Sequence, residues 1–392
     1  MRAAVAACAL DRDSQEVVNK MDALFVTVDA GGNLPPALGI AREIVRRGGT
    51  ARFLGHEPQR RVVEAAGFGF EAVRDGLAYD SAAPRSTLSG LREMTAVFAD
   101  RGIGADALRL AKAAPTDVVV VDCLLLGALE IVRRSGIPTV SLVHTLWSFF
   151  AAEARGPVGA IMRMRGVRMR PVLESPALSL VTVRAEFEPP GASFPAGVRH
   201  VGVVWQDPVA PRPARVEPPR VLVSLSTTRF PGQERALESI LDGLDGLPAD
   251  VVVTTGPAID PAGLRAPANA TVHRWADHGA LMPGAALVIG HGGHSTTARA
   301  LSHGVPLLIL PMHPLMDQPA IGAAVTRLGV GRSIRKSARP AAIRDAVTAL
   351  LADGPHRAAA TRLGAEIREH DGAVRAVDLI ETRTAAHLPT GG

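Results

Sequence analysis

The strongest constraint on this chain is a recurring short run of mostly apolar residues, many of them adjacent aliphatics, that leads into a loop or a helical stretch. LFVTV (24–28), ARFLG (51–55), DVVVVD (117–122) and TVSLVH (139–144) are the first such runs. RVLVSLS (220–226), DVVVTTG (250–256), TVHRW (271–275), ALVIG (286–290) and PLLILP (306–311) repeat the pattern later. Continuous rather than alternating apolar residues suit strands covered on both faces, as in a parallel sheet flanked by helices. Between the first two runs, Leu34, Leu38, Ala41 and Val45 recur at helical spacing until Gly48-Gly49 stops the helix. The second unit carries a helix over 128–134 and a break at Gly136-Ile137-Pro138. Residues 75–115 read as helices and loops, and 359–384 as a helical end.

With 392 residues the chain is too long for one ordinary core. The runs stop and restart around 206–219, where Pro208, Pro211, Pro213, Pro218 and Pro219 make a semi-stiff linker. The expected organisation is α/β: two Rossmann-like halves, 21–205 and 220–370, facing across a cleft. Residues 1–20 are expected to be an extension, and 371–392 a helix packing back on the first half, with a tail.

Composition removes several functions. There are 43 basic against 38 acidic residues, the basic runs are scattered, and aromatics make up 4%. A nucleic-acid protein would concentrate its charge and supply stacking rings. No apolar run is long enough for a membrane-spanning helix. Cys8 and Cys123 are too few for a disulfide framework or a zinc site, which fits a reducing cytoplasm.

The chemistry is concentrated in HGGHSTTARALSHGVPLLILPMHPLMDQ (291–318). ALVIG delivers the chain to His291, and Gly292 and Gly293 allow close backbone approach. Ser295, Thr296 and Thr297 open the next helix. Its free N–H groups and positive dipole end face the loop, a ready site for a diphosphate. A glycine turn alone is a common structural device. Here, however, the next strand ends near Asp317-Gln318, a carboxylate and amide suited to vicinal sugar hydroxyls. Together they describe a nucleotide-sugar site.

On these residues the chain resembles the UDP-glycosyltransferase superfamily, in particular actinobacterial macrolide- and polyketide-type glycosyltransferases with the GT-B fold. The likeness is most specific over 271–331, includes LGVGR (328–332), and is looser before the linker. It implies that Trp275 stacks on the nucleobase and that His291 contacts the diphosphate. Gly292, Gly293, Ser295 and Thr296 would supply phosphate donors, Ser226 and Thr227 would approach from the other side, and Asp317 and Gln318 would hold the sugar. Arg299 stands where the family often has a ribose-binding Glu; facing solvent is its plain alternative, and the choice between UDP and dTDP stays open. The co-substrate would be a dTDP- or UDP-sugar, with no other cofactor and no metal. The partners would be this donor and a small aglycone, with a second copy or an auxiliary protein as further candidates.

The resemblance departs at the base. The family's His in a Gly-His-x-x-Pro loop is replaced by Asn33 in Gly32-Asn33-Leu34-Pro35-Pro36, while its partner carboxylate matches Asp122. Three readings stay open: another base (Asp122 itself, His144 or His56), an acidic acceptor that Asn33 only orients, or a non-catalytic auxiliary protein. A GT-B nucleotide-sugar epimerase is a further alternative to transfer. Residues 144–169 offer Trp147, Phe149, Phe150, Met162 and Met164 as an apolar acceptor wall, with a plain helical core as the competing reading.

Overall fold

The computed structural model describes residues 20–30, 32–81, 83, 87–175, 178–205, 217–226, 228–257 and 259–386. Residues 1–19 of the expected extension, 206–216 of the expected linker and Thr227 lie outside them.

The first half is built on β1 (Asp22–Val26), β2 (Thr50–Gly55), β3 (Gly69–Ala72), β4 (Val118–Asp122), β5 (Thr139–Val143), β6 (Leu178–Val181) and β7 (Val198–His200). They form one sheet in the order β3-β2-β1-β4-β5-β6-β7, every pairing parallel. The second half uses β8 (Arg220–Ser224), β9 (Asp250–Thr254), β10 (Ala270–His273), β11 (Ala285–Gly290), β12 (Leu307–Ile309) and β13 (Gly331–Ser333). Its order is β10-β9-β8-β11-β12-β13, again parallel. The runs read as doubly covered strands are covered: every residue of β4, β5 and β11 is buried. The first strand sits two residues earlier than the LFVTV run, because Thr27 and Val28 have left the ladder proper.

In both sheets the strand order reverses beside the first strand, between β1 and β4 and between β8 and β11. Loops leaving adjacent strands there go to opposite faces, which opens a crevice at the carboxyl ends. Contacts between the halves bring the two crevices together: Thr145 hydrogen-bonds Asp317, and Gly32 lies against Ser295. Apolar side chains continue across part of the join: Val183, Phe187 and Val203 lie in one cluster with Ala298, Leu301 and Ile367. Arg327 donates to the carbonyls of Glu186 and Glu188 at 2.7 and 2.9 Å, and Arg184 pairs with Glu366 at 2.8 Å.

The last helix, Gly372–Ala385, belongs to the first half. Ala373, Ala376, Val377 and Ile380 are buried among Leu38, Ile40, Ala41 and Leu180. Arg47, at the end of the helix Leu34–Arg46, ties its outer face through Asp378 and Glu381, both at 2.8 Å. Among the described residues no helix is long and apolar enough to cross a membrane.

Candidate active site

Each half contributes groups from the ends of its central strands. Asn33 opens the helix after β1 and is buried. Its Nδ2 donates to Val28 O at 2.8 Å and to Asp122 Oδ2 at 2.6 Å. Two acceptors on one atom fix the amide with nitrogen on that side, and leave the buried Oδ1 without a partner. Asp122 is the last residue of β4, and its other oxygen accepts from Leu124 N at 2.9 Å. His144 follows β5, with Nδ1 3.5 Å from Asp122 Oδ2 and 3.7 Å from Cys123 Sγ. Strands β4 and β5 are in register at Asp122 and Leu142, so residues just beyond them come together.

Asp122, Cys123 and His144 also have the spacing of a metal-binding trio. Without an ion, burial and then the Asp122 charge push the Cys123 thiol well above its ordinary value, so the group rests as a neutral thiol.

On the opposing side, β11 ends at Gly290 and the helix His294–Ser302 starts at once. Gly292 has φ 91°, and a Cβ on Gly293 would meet His291 Nε2 at 2.6 Å, so glycine is required where the chain folds over the imidazole. No side chain caps this helix, so its first-turn amides are free for an anion. His291 is held neutral: burial drives it down to about 4, opposed by a hydrogen bond to the Ser224 backbone. Ser295 and Thr296 are half-buried at the same turn. Ser226, beyond β8, has φ 143°, and its hydroxyl accepts from Thr228 N at 3.0 Å. Such a backbone on a non-glycine residue is the kind of strain that collects at ligand loops.

Trp275 is 77% exposed, which excludes an ordinary core tryptophan and leaves an open ring face. Arg299 does not simply face solvent: its guanidinium lies 5.9 Å from the Trp205 ring, and its charge helps to lower His278. Asp317 is bonded across the cleft by the hydroxyl of Thr145. Gln318 is buried, and its carbonyl oxygen accepts from Met312 N and His313 N at 2.7 and 3.0 Å. It therefore closes the loop that carries Asp317, and only its amide nitrogen remains for a ligand.

Several groups were not singled out from the sequence. His294 lies inside the motif and packs among Val183, Phe187, Val203 and Leu301 at the join between halves. Burial and the His144 charge lower it to about 4. Phe230 sits between His291 and His313, ring centroids 6.4 and 6.1 Å away. Thr145 carried no signal beyond following His144.

Two expectations need correction. Trp147, Phe150 and Met162 are core residues, at 2%, 4% and 0% exposure, because the short helices after β5 turn that face inward. Of that aromatic group, half-buried Phe149 keeps some surface. His56 is not a free base: Nδ1 accepts from Asp29 N at 3.3 Å, and Nε2 lies 3.2 Å from Leu77 O.

The halves touch at these sites. A Cβ on Gly32 would lie 3.5 Å from Ser295 Cβ, so the Asn33 loop abuts the first turn of the anion-facing helix. Two parallel sheets joined this way, with polar groups at both switch points, have the GT-B architecture of solved glycosyltransferases. The second half carries the particular mark: residues 238–373 match the erythromycin biosynthesis protein CIII-like C-terminal domain. The 4'-demethylrebeccamycin synthase of Lentzea aerocolonigenes is 28% identical over 91% of this chain and 98% of its own. The crystallised kitacinnamycin glycotransferase is 25% identical, with a TM-score of 0.73 over 93% of this chain and 99% of that one. CalG4, the calicheamicin glycosyltransferase, superposes with a TM-score of 0.75 at 23% identity, over 94% of this chain and all (100%) of that one.

Proposed function

We propose that this protein transfers a sugar, with inversion, from a dTDP-deoxysugar or UDP-hexose to a hydrophobic natural-product aglycone. The observation that carries this reading is the meeting of the two switch points. Gly32 abuts Ser295, and Thr145 bonds Asp317, so acceptor-side and donor-side groups share one cleft.

The donor lies along the second half. Trp275 offers its open face to the nucleobase, and the diphosphate rests on the uncapped helix start with Ser295, Thr296 and the Ser226 loop around it. Neutral His291 contributes one N–H rather than a charge. Asp317 holds the sugar hydroxyls. The amide of Gln318 completes this set. As the acceptor oxygen attacks the anomeric carbon, the bond to the diphosphate breaks and its electron pair leaves with the nucleotide. The helix amides stabilise that leaving charge. No cofactor beyond the nucleotide sugar is called for. The relatives are transferases, and neither an epimerase nor an inactive auxiliary protein is favoured over transfer.

The test is mass spectrometry of reactions pairing dTDP- and UDP-sugars with a panel of aromatic and macrolactone aglycones, alongside nucleotide calorimetry. A product heavier by one sugar residue, formed only with acceptor present, supports the reading. A sugar altered without acceptor would instead indicate epimerisation, and nucleotide binding with no product from the whole panel would indicate an auxiliary protein.

A further inference from the structure

We propose that His144 is the general base of this transfer, oriented by Asp122, and that Asn33 acts as the clamp that holds that carboxylate in place. The inference rests on the transferase reading and adds which group receives the acceptor proton.

Asn33 cannot take a proton, and its nitrogen already donates twice, to Val28 O and Asp122 Oδ2. Asp122 is a poor candidate for direct proton abstraction on geometric grounds. One oxygen accepts from Asn33 and the other from Leu124, and the side chain is only 2% exposed. His144 differs on both counts. Its side chain is 16% exposed, and Nδ1 faces Asp122, so Nε2 is the nitrogen left for a ligand. A carboxylate beside Nδ1 selects the tautomer with the proton on Nδ1 and the lone pair on Nε2. The 3.5 Å separation is long for a hydrogen bond, as is common before substrate closes a site.

The other groups facing His144 agree with this assignment. Cys123, 3.7 Å away, is kept as a neutral thiol and is a weak donor that cannot outcompete the carboxylate. His294, from the helix His294–Ser302, is held neutral and adds no positive charge. Asp317, from the loop after β12, feels the His144 charge directly. His144 thus acts on both carboxylates, lying 3.5 Å from Asp122 on the acceptor side and lowering Asp317 on the sugar side through its charge. In the step, the acceptor O–H bond breaks, its proton goes to Nε2, and its oxygen bonds to the anomeric carbon as the diphosphate departs. The imidazolium so formed is stabilised by Asp122. The Asn33 amide donates to this carboxylate and holds it beside His144.

The experiment uses the full chain and compares wild type with His144→Gln, Asp122→Asn and Asn33→Ala, each checked by Tm and nucleotide calorimetry. With an alcohol acceptor, His144→Gln should lower kcat about a hundredfold or more while nucleotide affinity holds. The loss should shrink as the acceptor becomes a more acidic phenol. Wild type should lose kcat/KM on the acid side of its pH profile, and His144→Gln should lack that limb. Asp122→Asn should move the limb to lower pH, since an imidazolium without its counter-charge loses its proton more easily, a change that mere loosening of the fold does not produce. Asn33→Ala should lower kcat while keeping the acid limb. A folded His144→Gln with wild-type kcat on the alcohol and an unchanged limb would overturn the base assignment and leave the transferase reading standing. Wild type that binds no nucleotide and yields no product would overturn both together.

Discussion

The Thr145 hydroxyl donates to the carboxylate of Asp317, a residue 172 positions later and on the opposite wall of the cleft. Burial raises the Asp317 carboxyl above its ordinary range, while the Thr145 hydrogen bond and the His144 charge pull it back. Ionisation of a donor-side group is thus set partly by the acceptor-side half.

Thr145→Val keeps the shape and removes the donor. Losing one hydrogen bond of about 1 kcal/mol corresponds to a donor KM roughly five- to tenfold higher. The Asp317 carboxyl should rise further, so the increase in KM should be larger at acid than at alkaline pH. Initial rates at varied donor concentration measure this. A KM equal to wild type at both ends of the range would remove Thr145 from donor binding.

Acid should destabilise the fold through His291 and His294. Both are lowered from 6.5 to about 4, so between those values the unfolded chain binds protons that the folded chain refuses. Their contribution is fully present above pH 6.5 and declines as pH falls towards 4. Denaturant titrations across that window should show the decline, and His294→Gln should make it shallower. An identical slope in the variant would contradict the burial of that imidazole.

Gly39→Ala should lower stability by about 1–3 kcal/mol through overpacking. The added Cβ would stand 2.3 Å from Trp205 O and 2.7 Å from Val204 Cγ1, in a segment the first half cannot easily move. Gly69→Ala is the control, since nothing lies within 4 Å of its Cβ position. Equal Tm values for the two variants would refute the close approach.

Val377→Asp should be severely destabilising. Val377 is 0% exposed in the core shared by the last helix and the first sheet, and an unpaired charge there has no partner. Circular dichroism and Tm check it; a variant as stable as wild type would mean that the helix does not dock there.

The sequence was most informative where physics leaves little choice. Strands such as Val118–Asp122 and Ala285–Gly290 need aliphatic residues on both faces, so they stand out as unbroken runs. The short strands Leu178–Val181, Val198–His200 and Gly331–Ser333 did not, because three or four residues give no usable period. The motif at 291–318 could be read because strand, glycines and helix start are adjacent in sequence. Thr145 and Asp317 could not be paired beforehand, since no spacing links residues on different halves. Trp147, Phe150 and Met162 show another limit: the same apolar side chains suit a core and a pocket, and only the direction in which a helix faces separates the two. Asn33 was visible as a departure, but its donation to Asp122 became evident only in three dimensions.

The placement of the helix Gly372–Ala385 bears on hybrid enzymes. Because it packs against the helix Leu34–Arg46 and β6, exchanging donor specificity by a single splice near residue 217 would import a foreign helix shaped for another protein's groove. A workable chimera has two joints, one before Arg220 and one near His370, so that the acceptor-side body keeps its own closing segment.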